Sequence, residues 1–252
     1  MMHFVHVLLI TIFWFYIFLF LLAPIALKMR FRLRAKIKVS AIQVKDLPEA
    51  ARAYLEGRVA EFGKWNFELV SYVNLGNVTP PVGAYMALLS NSFTAEWADA
   101  TFIVSPVRRY GYFEFITRCS EQLQIDTNTA PSVPVFFSVP EHPTFRFPQI
   151  DDVFKLYRIH RMLVTEIARG ALPVLPSTGE ELAELERRLE RYGAWQQKHG
   201  FMSLDAAGEN YRLTWKGAIL GAWRSIWPIS MFRAWRRWME NRAILDRVGA
   251  SG

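Results

Sequence analysis

From Phe4 to Leu27 the chain carries no Asp, Glu, Lys or Arg. A helix over these 24 residues would run about 36 Å at 1.5 Å per residue. That is enough to cross a hydrocarbon core of about 30 Å with some tilt. A cleaved signal peptide would show a basic stretch ahead of a shorter apolar run, and nothing basic precedes Phe4. A core helix of a soluble protein would show a polar outer face, and this run has none. Residues 1–27 are therefore read as a transmembrane anchor.

The pattern then changes to period two. Met29, Phe31, Leu33, Ala35, Ile37 and Val39 alternate with Lys28, Arg30, Arg32, Arg34, Lys36 and Lys38. This predicts an extended strand over 28–44, with a helical continuation of the anchor as the alternative. A helix is predicted from Asp46 to Phe62, with Asp46 as N-cap, Glu49 completing a capping box and Ala51, Leu55, Val59 and Phe62 as its apolar stripe. Residues 65–148 read as strands at 66–74, 97–105, 111–119, 122–128, 133–139 and 143–147, with 82–90 open to strand or helix. Short strands with tight links imply an antiparallel sheet. Two amphipathic helices follow, 151–169 and 178–199, the second with Ser177 as cap and Glu180 closing a box. The fold class is thus α+β: the anchor (1–27), a basic juxtamembrane segment (28–45), an α+β domain (46–214) and a basic, Trp-rich helical tail (215–252) broken at Pro228. The tail is no second full span, because 217–232 contains Arg224 and dense charge follows.

Charge sharpens this division. Residues 28–45 hold seven basic and no acidic side chains, and 215–247 hold seven basic against two acidic. The remainder of the body is net acidic. Cations flanking a span stay in the cytoplasm, which predicts an inner-membrane protein with its N-terminus outside and its C-terminal domain in the cytosol. Lys28, Arg30, Arg32, Arg34, Lys36 and Lys38 are expected at the membrane interface. So are Trp223, Arg224, Trp227, Arg233, Trp235, Arg236, Arg237 and Trp238, because Trp with Arg suits headgroup depth and anionic lipid. The competing expectation is that the tail packs its tryptophans into the domain core.

Catalytic motifs are sparse. The sequence has no phosphate loop, no GxGxxG turn, no GxSxG elbow and no HExxH or HxH pair. No metal site and no cofactor are expected. Cys119 is the single cysteine, expected as a buried thiol on a strand. His160 lies within the apolar stripe of its helix and is the one weak catalytic candidate. It is either a hydrogen-bonded core histidine or an acid/base in a pocket, with Asp126 and Asn128 as its possible partners. The segment Tyr211–Gly217 faintly resembles the wing end of a winged-helix module. The helix before it is rich in glutamate and suits DNA poorly, so no nucleic-acid partner is expected. The leading reading is a non-enzymatic scaffold, assembly factor or apolar-ligand binder at the anionic inner leaflet. An enzyme acting on a lipid-like substrate through His160 is the alternative.

Overall fold

A computed structural model describes residues 2–76, 83–105, 108–120, 123–131, 137–175, 177 and 179–250. In chain order the elements are α1 (Met2–Arg30), β1 (Leu33–Arg34), β2 (Ser40–Ala41), α2 (Glu49–Gly63), β3 (Glu68–Asn74), β4 (Gly83–Asn91), β5 (Glu96–Val104), β6 (Arg109–Arg118), β7 (Gln124–Asn128) and β8 (Thr144–Arg146). There follow α3 (Val153–Ala168), α4 (Glu181–Lys198), β9 (Met202–Leu204), β10 (Asn210–Leu213), α5 (Trp215–Trp223) and α6 (Ile229–Ala250). The fold is mixed α+β, as expected. The chain forms two compact units, one from residues 1–35, 133–137 and 193–238, the other from 36–132, 138–192 and 239–252.

The larger unit is built on a seven-stranded sheet in the order β2-β3-β4-β5-β6-β7-β8. Its alternating strands have two inner faces. One buries Ala87, Leu89, Ala98, Ala100, Phe113 and Phe115 under α2 and α3, with Ile244 of α6 in the same core. The other buries Val73, Met86, Leu88, Trp97 and Ile116 beside the Leu182–Leu185–Leu189 stripe of α4. The described part of the ambiguous segment 82–90 lies in strand β4, paired along its length with β5. The sheet is antiparallel except at its end, where β8 runs parallel to β7. That correction follows from connectivity: the chain leaves Asn128 and returns at Thr144 in the same direction, which no tight hairpin could do. The expected strand 133–139 falls mostly outside the described residues; within them Val139 only bridges to His142.

Helix α2 starts at Glu49 rather than near Asp46, and its N-cap Pro48 makes no side-chain cap bond. The capping box is therefore not formed. Proline disfavours helical backbone in the residue before it, and Leu47 is extended (φ −71°, ψ 140°), leaving Asp46 in a separate short 3-10 turn. The stripe itself holds, with Ala51, Leu55 and Phe62 buried and Val59 packed at the core edge. In α3 the Asp152 carboxylate accepts the Lys155 amide, and Ile159 joins the predicted stripe. The basic segment alternates as expected, with Leu33 and Ile37 buried between exposed Arg32, Arg34, Lys36 and Lys38. It is extended only after α1 ends at Arg30, so both expectations for 28–44 hold in part.

The smaller unit contains α1, the three-stranded sheet β1-β10-β9, α5 and the first part of α6. The hairpin β9–β10 occupies the place of the supposed wing.

Candidate membrane interface and buried polar networks

Helix α1 is long and apolar enough to span a membrane. Among the described residues, the stretch Phe13–Arg30 has a mean hydropathy of 1.6 and is 6% buried. Phe4, Phe13, Trp14, Phe15, Phe18, Leu21, Leu22, Ile25 and Met29 are all exposed. Around the same helix, Tyr16, Phe20, Ala23, Pro24, Leu27 and Lys28 recur at helical spacing and are less exposed. This stripe receives α5.

The two helices run antiparallel. At one end Lys28 Nζ donates to the Leu213 carbonyl (2.9 Å) and lies over the Trp215 ring. Farther along, Phe20 meets Trp223 and Tyr16 meets Trp227, with ring centroids 6.0 and 5.9 Å apart. Pro24 inside α1 has no N–H, so the Phe20 carbonyl four residues earlier loses its helical donor. The Trp223 indole Nε1 donates to that carbonyl at 3.3 Å. The buried side of α5 is Gly217, Ala218, Gly221 and Ala222, with Gly217 set against the Phe201 carbonyl.

Of the tail tryptophans, Trp215, Trp223, Trp227, Trp235 and Trp238 are 40–55% exposed. They are half-exposed, and the part of the tail that enters the domain core is Ile244, with Leu245 and Val248 against it. At about 100° per residue, Met231, Phe232, Trp235, Trp238 and Met239 fall in an arc of roughly 120° on α6. All five are exposed, while Arg233, Arg236 and Arg237 project from other sides. Arg224 lies over the Phe137 ring at 4.5 Å. The sequence marked these tryptophans and arginines. It did not mark the small face of α5, although glycines at 217 and 221 were a visible signal.

His160 is fully buried between sheet and α3. Its partners are Thr117 Oγ1 (2.8 Å from Nε2) and Thr127 Oγ1 (3.0 Å from Nδ1). Asp126 and Asn128 are not among them: strand alternation turns them to the opposite face of β7. Thr117 donates to Glu96 Oε1 (3.2 Å), so it accepts from Nε2–H and Nδ1 accepts from Thr127. Glu96 also accepts from Tyr157 (2.9 Å) and Arg161 (2.6 Å). Burial drives the His160 pKa down to about 4, with the Glu96 charge opposing. The histidine is a neutral bridge, not an exposed acid/base.

This carries a pH signature. A neutral buried histidine leaves the unfolded state with more bound protons between pH 4 and 6.5, so stability is full above that window and falls as pH drops through it. The loss amounts to roughly 3 kcal/mol from this one group. His160→Gln should flatten that slope in urea titrations at pH 7 and pH 4.5. Equal slopes in both proteins would refute the assignment.

A second network lies on the other face. Arg188 of α4 points Nη2 at Asp99 Oδ2 (3.7 Å) and Glu114 Oε2 (3.5 Å). Asn128 donates to Glu114 (2.7 Å), Gln124 to Asp126 (2.8 Å) and Thr101 to Asp99 (3.2 Å). Burial first, then the Glu114 charge, hold Asp99 well above the usual carboxylate range and push Asp126 up to about 7. Neither network was legible in the sequence, because each draws its members from several strands and one helix. Cys119 is buried as expected but lies one residue past the end of β6, and burial raises its thiol pKa. Among the described residues, no group of three His, Cys, Asp or Glu side chains is placed to hold a metal ion.

No protein-family model matches the chain, and no curated protein or solved structure is significantly similar to it.

Proposed function

We propose that this protein is a membrane-anchored, non-enzymatic scaffold at the anionic inner leaflet. In this reading α1 crosses the inner membrane with its N-terminus outside, and the sheet domain is held in the cytosol. The observation that carries it is the surface of α1, where large apolar side chains stay uncovered from Phe4 to Met29. In water such a surface is costly, at about 25 cal/mol per Å²; in hydrocarbon it is at home. The orientation rests on Arg30, Arg32, Arg34, Lys36 and Lys38 following the helix with no acid among them. The non-enzymatic part rests on His160, whose two ring nitrogens are both occupied by threonine hydroxyls away from solvent.

The test is fractionation and topology. The full chain should stay in the membrane pellet through alkaline carbonate washing. A fluorescent reporter that folds only in the cytosol should be bright when fused after Gly252. A carbonate-soluble product, or a dark reporter whose periplasmic phosphatase counterpart is active, would overturn the reading.

A further inference from the structure

We infer that residues 215–228 dip into the hydrocarbon beside α1 and turn at Arg224–Pro228, with α6 leading back out as the return leg of a re-entrant hairpin, rather than lying flat on the leaflet. The inference rests on the reading of α1 as a span.

Depth is set by the pairing of α5 with α1. Trp215 sits at the level of Lys28, where the span meets the basic segment, while Trp223 and Trp227 sit at Phe20 and Tyr16. From Lys28 to Tyr16 is about 18 Å of helix, more than half of a core of about 30 Å. A segment tied along that length shares its depth. The composition suits the position: between Lys216 and Arg233 the sole charged residue is Arg224, and its guanidinium lies on the Phe137 ring.

Backbone chemistry points the same way. Where water is excluded, a carbonyl released by an interior proline needs a donor from a neighbouring helix. Trp223 supplies it to Phe20. Gly217, Ala218, Gly221 and Ala222 are buried, while Leu220, Met231 and Phe232 stay exposed, and Trp223 and Trp227 keep about half of their surface free even as they meet α1. An aqueous surface gives no reason for that arrangement, whereas lipid does. The hairpin is a half-span, which reconciles the apolar run with Arg224 and the Pro228 break.

Single cysteines in the full chain, with Cys119→Ser as background, test this in membranes opened to a charged maleimide on both sides. Ser225 is exposed on the protein itself, so only lipid can shield it. Ser225→Cys should label at least about tenfold more slowly than Ala207→Cys in the β9–β10 turn, since hydrocarbon excludes the reagent with water. Detergent should restore its labelling. Thr11→Cys in α1 separates the two ideas. With Thr11→Cys protected and Ser225→Cys labelled like Ala207→Cys, the hairpin is refuted and the anchor stands. Free labelling of Thr11→Cys overturns the anchor and the hairpin together.

Discussion

Replacing Arg188 with methionine should destabilise the sheet domain by about 3–5 kcal/mol, the usual cost of removing one partner from a buried ion pair. Asp99 and Glu114 would lose the guanidinium that faces them at 3.7 and 3.5 Å, with no route to water for Asp99. The sign of the pH dependence follows from the acids. Asp99 and Asp126 have raised pKa values, so the folded state binds their protons more tightly than the unfolded state does. Their contribution to stability is present at low pH and is lost as pH rises through the folded values. Removing Arg188 should therefore cost least near pH 4 and most above pH 7. Asp99→Asn is the informative counterpart. It keeps an acceptor for Thr101 and stands close to the protonated acid that burial favours at this position, so it should change stability by no more than about 1 kcal/mol. Chemical denaturation of the full chain in detergent, followed by far-UV circular dichroism at pH 4.5 and 7.5, measures all three. A penalty for Arg188→Met that is small or independent of pH would mean that the cluster is solvated and the account wrong.

The second large effect belongs to Gly217. A Cβ there would stand 2.0 Å from the Phe201 carbonyl oxygen and 2.9 Å from its carbon. That carbonyl cannot retreat freely, because the Thr214 amide (3.1 Å) and hydroxyl (3.3 Å) both donate to it. Gly217→Ala should therefore displace α5 or break the Thr214 cap. The expected cost is about 2–4 kcal/mol, at the upper end of overpacking. Gly57→Ala, in a helix interior where an added methyl meets nothing within 4 Å, should instead stabilise by up to about 1 kcal/mol. Thermal unfolding midpoints and the rate of protease cleavage near Arg224 would report both. Unchanged values for Gly217→Ala would show that α5 is not held against Phe201.

Periodicity carried most of the fold. The apolar run of α1, the stripes of α2, α3 and α4 and the central strands all lie where side-chain spacing puts them, because each element buries one face. What periodicity could not carry was choice between faces and partners. His160 was placed on the inner side of its helix correctly, yet Asp126 and Asn128 were matched to it when Thr127 between them, and Thr117 on the next strand, do the bonding. One residue of register separates the two answers. Arg188 was hidden differently. It neighbours Leu189 in a helix rich in charge, and nothing local distinguishes it from the more exposed Arg187 and Arg191, which pair with Glu184 of the same helix. Its burial is dictated by acids on β5, β6 and β7, which only pairing brings together. The start of α2 was misread because a good cap at Asp46 outweighed the conformational veto that Pro48 exerts on Leu47.

The smaller unit joins residues near the start of the sequence to residues near its end. During synthesis, α1 is complete long before Trp215–Trp227 leave the ribosome. At about 5–20 residues per second, the interval is roughly ten to forty seconds. Throughout it the Tyr16–Lys28 stripe has no helix against it, and the Phe20 carbonyl has no indole to bond. Nascent or truncated chains thus expose an apolar stripe that Trp215–Trp227 meet in the finished molecule.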